Sequence, residues 1–217
     1  MPDLIIKPKN QSGNKLILQD QAGGAVLTTA DSGATLGNST QDNITRLGTV
    51  TAGAIGSGVT GFTGVKNVSK WLVTTSFGES SGTNVFDSNW AVVPSTRGYS
   101  ALGTDMTQSS GVFTFPSTGY WLITFFCAGR GNSAAPVVTA NIETTTDNSS
   151  YSAASSGFWY SGGDPTKTQV VVNWLFDVTS TTTHKCRFSA GVTAATFFEC
   201  SSTVLQNGAM FIRLGDT

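Results

Sequence analysis

An all-β fold, a two-layer sandwich or jelly roll, is what this sequence predicts for most of its length, and three observations predict it. Short alternating or β-branched segments recur from Lys66 to the end, turn-rich stretches separate them, and no window of helical spacing is long enough to compete. Composition agrees: 12% of the residues are charged, against roughly 25% in ordinary soluble domains, while Gly, Ser, Thr and Asn abound. Such a chain is written for strands and polar turns.

Taken in order, the expected strands are Lys70 to Thr75, Ser88 to Val93, Gly111 to Phe115, Tyr120 to Cys127, Val137 to Glu143, Gln169 to Val178, His184 to Ala190, Thr196 to Cys200 and Ala209 to Leu214. Asp147-Asn148-Ser149-Ser150 and Ser161-Gly162-Gly163-Asp164-Pro165 carry the residues of turns. The clearest pattern is GVFTFPSTGYWLITF, residues 111 to 125, a hairpin about a Pro-Ser-Thr-Gly turn. Along its second strand Trp121, Ile123 and Phe125 share one face and Tyr120, Leu122 and Thr124 the other. Both faces carry large apolar groups. A strand buried on one side needs one such face, so the second implies a further layer within the subunit or contact with another subunit.

Everything before Phe62 lacks aromatic residues. A segment so poor in large apolar groups does not readily bury a core of its own. Residues 1–47 are therefore expected to form an arm, residues 48–65 a Gly/Thr/Ala-rich neck, and residues 66–217 the main domain. Within the arm, Lys15 to Gln19 and Ala25 to Thr29 read as a hairpin about Asp20-Gln21-Ala22-Gly23-Gly24. One hairpin is marginal in water, so it needs a partner; a disordered tail is the alternative. The concentrated apolar groups there, Leu4, Ile5, Ile6, Leu16, Ile17 and Leu18, are the expected anchor contacts, or else a small local cluster.

Charge and motifs exclude several functions. With 12 basic and 13 acidic residues and no Lys/Arg cluster, an electrostatic grip on nucleic acid or an anionic membrane is not expected. The apolar run of MPDLIIKPKN is too short for a signal peptide, and no segment approaches the ~20 apolar residues of a membrane span. Folding in a cytoplasm is the expectation. Cys127, Cys186 and Cys200 lack CxxC spacing and read as small buried hydrophobes. His184 sits two residues from Cys186 on one strand face, but no oxyanion-hole glycine motif accompanies the pair, and an ordinary strand histidine is the reading. Glu79, Asp87, Asp105, Glu143, Asp147, Asp164, Asp177 and Glu199 are scattered mostly in turns, so neither a glycosidase pair nor a calcium loop is expected. GSGVTG at 56–61 lacks the Lys-Ser/Thr of a phosphate loop. No cofactor or metal is expected, and no enzyme.

The frame Gly111-x-Phe113-x-x-Pro116 followed by Gly119-x-Trp121-x-Ile123-x-Phe125 resembles the signature hairpin of the complement-globular-head and tumour-necrosis-factor jelly-roll superfamily. Trp121 replaces that family's usual Tyr, and Pro116 lies three residues before Gly119 instead of beside it. The closing segment Asn207 to Gly215 is similar to the last strand of those domains, which runs beside a trimer axis. The resemblance implies a homotrimer with Trp121, Ile123, Phe125, Phe211 and Leu214 at its interface. DLIIKPKNQSGNKLILQDQAGGAVLTTADSGATL resembles the leader of structural proteins from tailed phages, cyanophages especially, and WLFDVTSTTTHKCRFS resembles strands of virion jelly rolls. What this implies is a virion protein assembled in the host cytoplasm and exposed on the particle, a capsid decoration, cement or head-fibre protein held by its arm to capsid or tail proteins. A tail-fibre tip that recognises host surface glycan is the second expectation, with Phe158, Trp159 and Tyr160 in a loop as stacking groups; core packing is their ordinary alternative.

Overall fold

The computed structural model describes residues 17–19, 21–22, 25–30, 33–36, 65–132, 135–162, 164 and 166–217. The chain divides into two compact units, Met1–Val59 and Thr60–Thr217. In the first, β1 (Ile17–Gln19) pairs antiparallel with β2 (Ala25–Ala30), and β2 with β3 (Gly33–Leu36). The expected hairpin is there, and a third strand extends it. Ile17 and Leu18 are both about half exposed. Leu4, Ile5, Ile6 and Leu16 lie outside the described residues.

The second unit contains β4 (Asn67–Val73), β5 (Phe77–Glu79), β6 (Gly82–Val85), β7 (Trp90–Val92), β8 (Thr107–Ser109), β9 (Val112–Thr114), β10 (Gly119–Gly131), β11 (Val137–Thr145), β12 (Ser152–Tyr160), β13 (Lys167–Val178), β14 (Lys185–Val192), β15 (Thr196–Phe198) and β16 (Gly208–Gly215). A single 3₁₀ turn, Ser95–Arg97, is the helical element among the described residues. Two antiparallel sheets result. In the first, β13 pairs one side of β10; along the other side β16 lies opposite Tyr120–Phe126 and β15 opposite Gly129–Gly131. Next come β4 against β16 and β5 against β15, with β7 outermost against β4. The second sheet runs β12, β11, β14, then β6 and β9 on one side of β14, then β8. The chain changes sheet after β5, β6, β7, β9, β10, β12, β13 and β14, which makes the sandwich a jelly roll.

Aromatic rings fill the space between the sheets. Phe188 stacks on Phe125 with centroids 4.7 Å apart, and Phe113 meets Trp90, Trp71 and Phe188 edge-on at 5.0 to 5.5 Å. Edge-to-face and offset geometries are those the ring quadrupoles prefer. Two glycines are dictated by this packing. Gly111 turns the β8–β9 hairpin at φ 74°, where a Cβ would also lie 2.2 Å from the carbonyl oxygen of Phe86. At Gly208 a Cβ would lie 2.2 Å from the Trp71 oxygen, so β16 reaches β4 only without a side chain there.

Most expected strands are present within a few residues. The hairpin expected over residues 111–125 is not one: β9 pairs with β8 and β14 in one sheet, while β10 lies in the other, so the Pro-Ser-Thr-Gly turn carries the chain between layers. The short strands β5, β6 and β8 were not among those expected, and Ser152–Tyr160, expected as a loop, is a nine-residue strand. Its small residues hide the alternation: hydrogen bonding to β11 and not side-chain pattern makes it extended.

Candidate interaction surfaces

Alternation along β10 sends its two sets of side chains to different places. Trp121, Ile123 and Phe125 are 0% exposed, as is Phe211 on β16. The core of one chain consumes them entirely, so they have no area left for another subunit. The expectation that these four form a trimer interface is corrected: they are the core face of the strand. Leu214, also expected there, is 43% exposed.

The opposite face is the one left open. Register places Leu122 beside Leu175 and Ile212, Phe126 beside Val171, and Thr124 beside Asn173 and Met210. Leu175 is 51% exposed and Val171 46%, while Leu122, Phe126, Met210 and Ile212 are half-buried. In the middle of this apolar belt the Thr124 hydroxyl donates to Asn173 Oδ1 at 2.7 Å. A sheet face in contact only with water normally presents polar residues. This one presents six large aliphatic or aromatic groups on three neighbouring strands, β13, β10 and β16. Leu122 was visible in sequence on the second apolar face of the GYWLITF strand, and β13 and β16 supply four of the six groups.

β12 carries the aromatic triplet of the second expectation. Phe158 is 77% exposed and Tyr160 64%, but Trp159 between them is only 4% exposed and belongs to the core. Strand alternation splits the triplet, so Trp159 cannot stack on an external ligand. Phe158 pairs with Thr139, and Tyr160 with the half-exposed Val137. The sheet face beside them is polar and internally satisfied. Ser156 donates to Asn141 at 2.7 Å, the Asn141 amide to Ser189 at 3.2 Å, and Ser189 and Arg187 to Glu143 at 2.5 and 2.6 Å. The Arg187 guanidinium lies 4.4 Å from the centre of the Tyr151 ring.

Several of the titratable groups are occupied in structural roles. Glu199 accepts from Arg130 and from Lys167, and Arg130 also pairs with Asp164. Asp105 accepts from Ser69 at 2.7 Å. Glu79 and Asp87 line a concavity of about 130 Å³, where burial and then the Asp87 charge raise the Glu79 pKa. His184 stacks on Phe176 and shares hydrogen bonds with Thr179 and Thr183 at 3.1 Å. Cys186 is fully buried, and burial drives its pKa up. A nucleophile must ionise near a base, and this thiol is held neutral. Among the described residues no group of His, Cys, Asp or Glu is arranged to hold a metal ion. No helix of the described residues is long and apolar enough to cross a membrane.

No established protein family matches the sequence, and no curated protein does. Among solved structures, murine APRIL at pH 8.5 is 10% identical over 69% of this chain and 100% of that chain, with a TM-score of 0.48. Eiger TNF from S. frugiperda is 11% identical over 70% and 95% of the two chains, with a TM-score of 0.47. The PRD1 vertex protein P5 is 13% identical over 70% and 99%, with a TM-score of 0.44. The jelly-roll assignment itself rests on the strand order and register above.

Proposed function

We propose that this chain is a non-enzymatic virion structural protein, a trimeric capsid decoration, cement or head-fibre protein attached to the particle by its amino-terminal arm. The observation that carries the reading is the apolar belt of Leu122, Phe126, Val171, Leu175, Met210 and Ile212, set on a sheet face that one chain leaves open. An exposed belt of this kind marks an interface. A second apolar surface, Phe158 and Tyr160 on the edge strand β12, differs from the first in shape and composition. Two unlike patches suit head-to-tail association, which gives a cyclic ring such as a trimer where the rotation closes. The small sheet β1–β2–β3, with Ile17 and Leu18 exposed, suits an arm that gains its stability from a partner. The resemblance of the leader to those of tailed-phage structural proteins supports a virion protein as that partner.

The test is a cryo-electron reconstruction of the intact particle together with sedimentation of the full chain. Three copies on the shell, with the arm on capsid subunits, are expected. A stable monomer in solution and no density on the shell would overturn the reading.

A second reading is favoured by one observation, the exposure of Phe158 and Tyr160. Exposed rings beside the Ser156–Asn141 hydroxyl and amide groups are the chemistry that holds a sugar. Under it the chain is a receptor-recognising tail-fibre tip, density falls on the tail, and a host-glycan array retains the full chain.

A further inference from the structure

A groove of about 570 Å³ opens on the second unit where β4 passes between two loops. β4 contributes Val68 and Lys70, the segment after β7 contributes Val93, Arg97 and Leu102, and the loop before β16 contributes Val204. Its size falls within the range of small-molecule sites. Its shape is braced from both sides. The Tyr99 hydroxyl accepts from the Lys70 amide at 2.9 Å and donates to the Val68 carbonyl at 3.2 Å, and Val68 and Leu102 exchange backbone hydrogen bonds. Across the groove the Ser201 hydroxyl accepts from the Thr203 and Val204 amides at 3.2 Å. Leu102 and Val204 nevertheless stay 48% and 50% exposed.

The charge of the groove is one-sided. No carboxylate lines it, and neither Lys70 nor Arg97 joins any ion pair among the described residues. The Lys70 ammonium lies 5.9 Å from the centre of the Tyr99 ring. Two other concavities differ: in one of about 290 Å³ Lys167 is already paired with Glu199, and one of about 130 Å³ carries Glu79 and Asp87. On a chain of net charge −1, two unpaired cations beside an aliphatic wall are a local feature. A free inorganic anion would leave that wall unused. A glycan would ask for an aromatic platform, and the one ring here, Tyr99, has its hydroxyl committed to β4.

We propose that this groove binds a medium-chain aliphatic carboxylate, with the hydrocarbon along Val68, Val93, Leu102 and Val204 and the carboxylate on Lys70 and Arg97. Burial of the chain supplies affinity. Charge-assisted hydrogen bonds to the two cations supply selectivity for an anionic head. The groove shares no residue with the apolar belt, although register sets Val68 and Lys70 beside Ile212 and Met210, and its test reads ligand binding and not assembly.

The experiment is a titration of the full chain with decanoate, followed by calorimetry and by methyl NMR of Leu- and Val-labelled protein. Saturable binding with shifts at the Val68, Val93, Leu102 and Val204 methyls is expected, and decanol should bind about tenfold more weakly. The double variant Lys70→Met with Arg97→Met should abolish that preference while its circular dichroism spectrum and melting temperature match the parent. Val204→Asp, on an exposed loop, should block decanoate without unfolding the chain. Equal affinity for decanol and decanoate would overturn the proposal, as would shifts confined to other methyls or a double variant that still prefers decanoate. Flotation of the chain with phosphatidylglycerol vesicles, without saturable decanoate binding, would assign the groove to a lipid surface and overturn it equally.

Discussion

The side chain of Asn207 satisfies both backbone groups of Ala128: its Oδ1 accepts from the Ala128 amide at 2.8 Å, and its Nδ2 donates to the Ala128 carbonyl at 2.7 Å. The same Nδ2 donates to the Glu199 carbonyl at 2.6 Å. Ala128 sits where β10 is between partners, past Phe126 opposite β16 and before Gly129 opposite β15. One amide thus completes the ladder across the gap. Asn207→Ala would leave those groups unpaired and should lower stability by about 2–4 kcal/mol. Asn207→Asp, which loses both donors and sets a carboxylate against two carbonyls, should cost at least as much. Urea unfolding of the two variants checks this; parental stability in both would refute the bridging role.

Asp147 caps the β11–β12 turn, accepting from the Thr145 hydroxyl at 2.6 Å and from the Ser149 and Ser150 amides at 2.8 Å. The Thr145 hydroxyl first, and then these amides, hold its pKa well below the ordinary aspartate value. A depressed folded pKa stabilises above the unfolded value of about 3.9, and the contribution is lost as pH falls through the folded one. Asp147→Asn should therefore melt below the parent near neutral pH, and the two melting curves should converge in acid. A gap independent of pH would refute the charge assignment.

All three thiols should resist labelling in the folded state. Cys127 is buried and its pKa is pushed up to about 12, and burial drives Cys186 in the same direction. Cys200 is only partly buried, yet desolvation pushes it to about 12 as well. At about pH 8 the thiolate fraction is then negligible. Iodoacetamide followed by mass spectrometry should find no modification in native buffer and three in denaturant; rapid native labelling of Cys127 or Cys186 would be the contrary result.

Leu175→Asp places a charge in the apolar belt without entering the core. Its expected effect is on assembly: the full chain should sediment as separate copies, with a circular dichroism spectrum like the parent's. Phe211→Ala makes the contrast, costing about 3–5 kcal/mol by opening a core cavity. If Leu175→Asp assembles as the parent does, the belt is not the contact surface.

The aromatic triplet separates in the same way. Phe158→Ala and Tyr160→Ala should stay within about 0.5 kcal/mol of the parent, whereas Trp159→Ala should cost about 3–5 kcal/mol. Glycan retention, if the array finds any, should fall with the first two. Loss of retention only in the Trp159 variant would mean that unfolding, not contact, explains it.

The strands with alternating bulky residues were legible, because a period of two is written directly in GYWLITF and QVVVNWLFDV. Which of the two faces of β10 meets the core was not. Both carry large apolar groups, and the choice depends on where β14 and β9 lie, which no local pattern encodes. β12 was missed because Ser152 to Gly157 has no side chain large enough to mark a face. Its glycine has a reason that only the fold reveals: a Cβ at Gly157 would lie 2.9 Å from methyls of both Val170 and Val172 on β13. The groove, too, is assembled from three segments distant in sequence.

The interval between β15 and β16 has a use of its own. Strands on either side of it are already registered, β15 by β5 and β10 and β16 by β4 and β10, and Asn207 locks the seam. Ser202 and Thr203 are exposed at its tip. Extra residues spliced between them would lengthen a loop without sliding either strand, at an entropic cost that grows only slowly with length, and would give up the Ser201 brace on the Val204 side of the groove. The jelly roll thus has a built-in position for carrying foreign sequence, such as an epitope or an affinity tag, while its sheets keep their alignment.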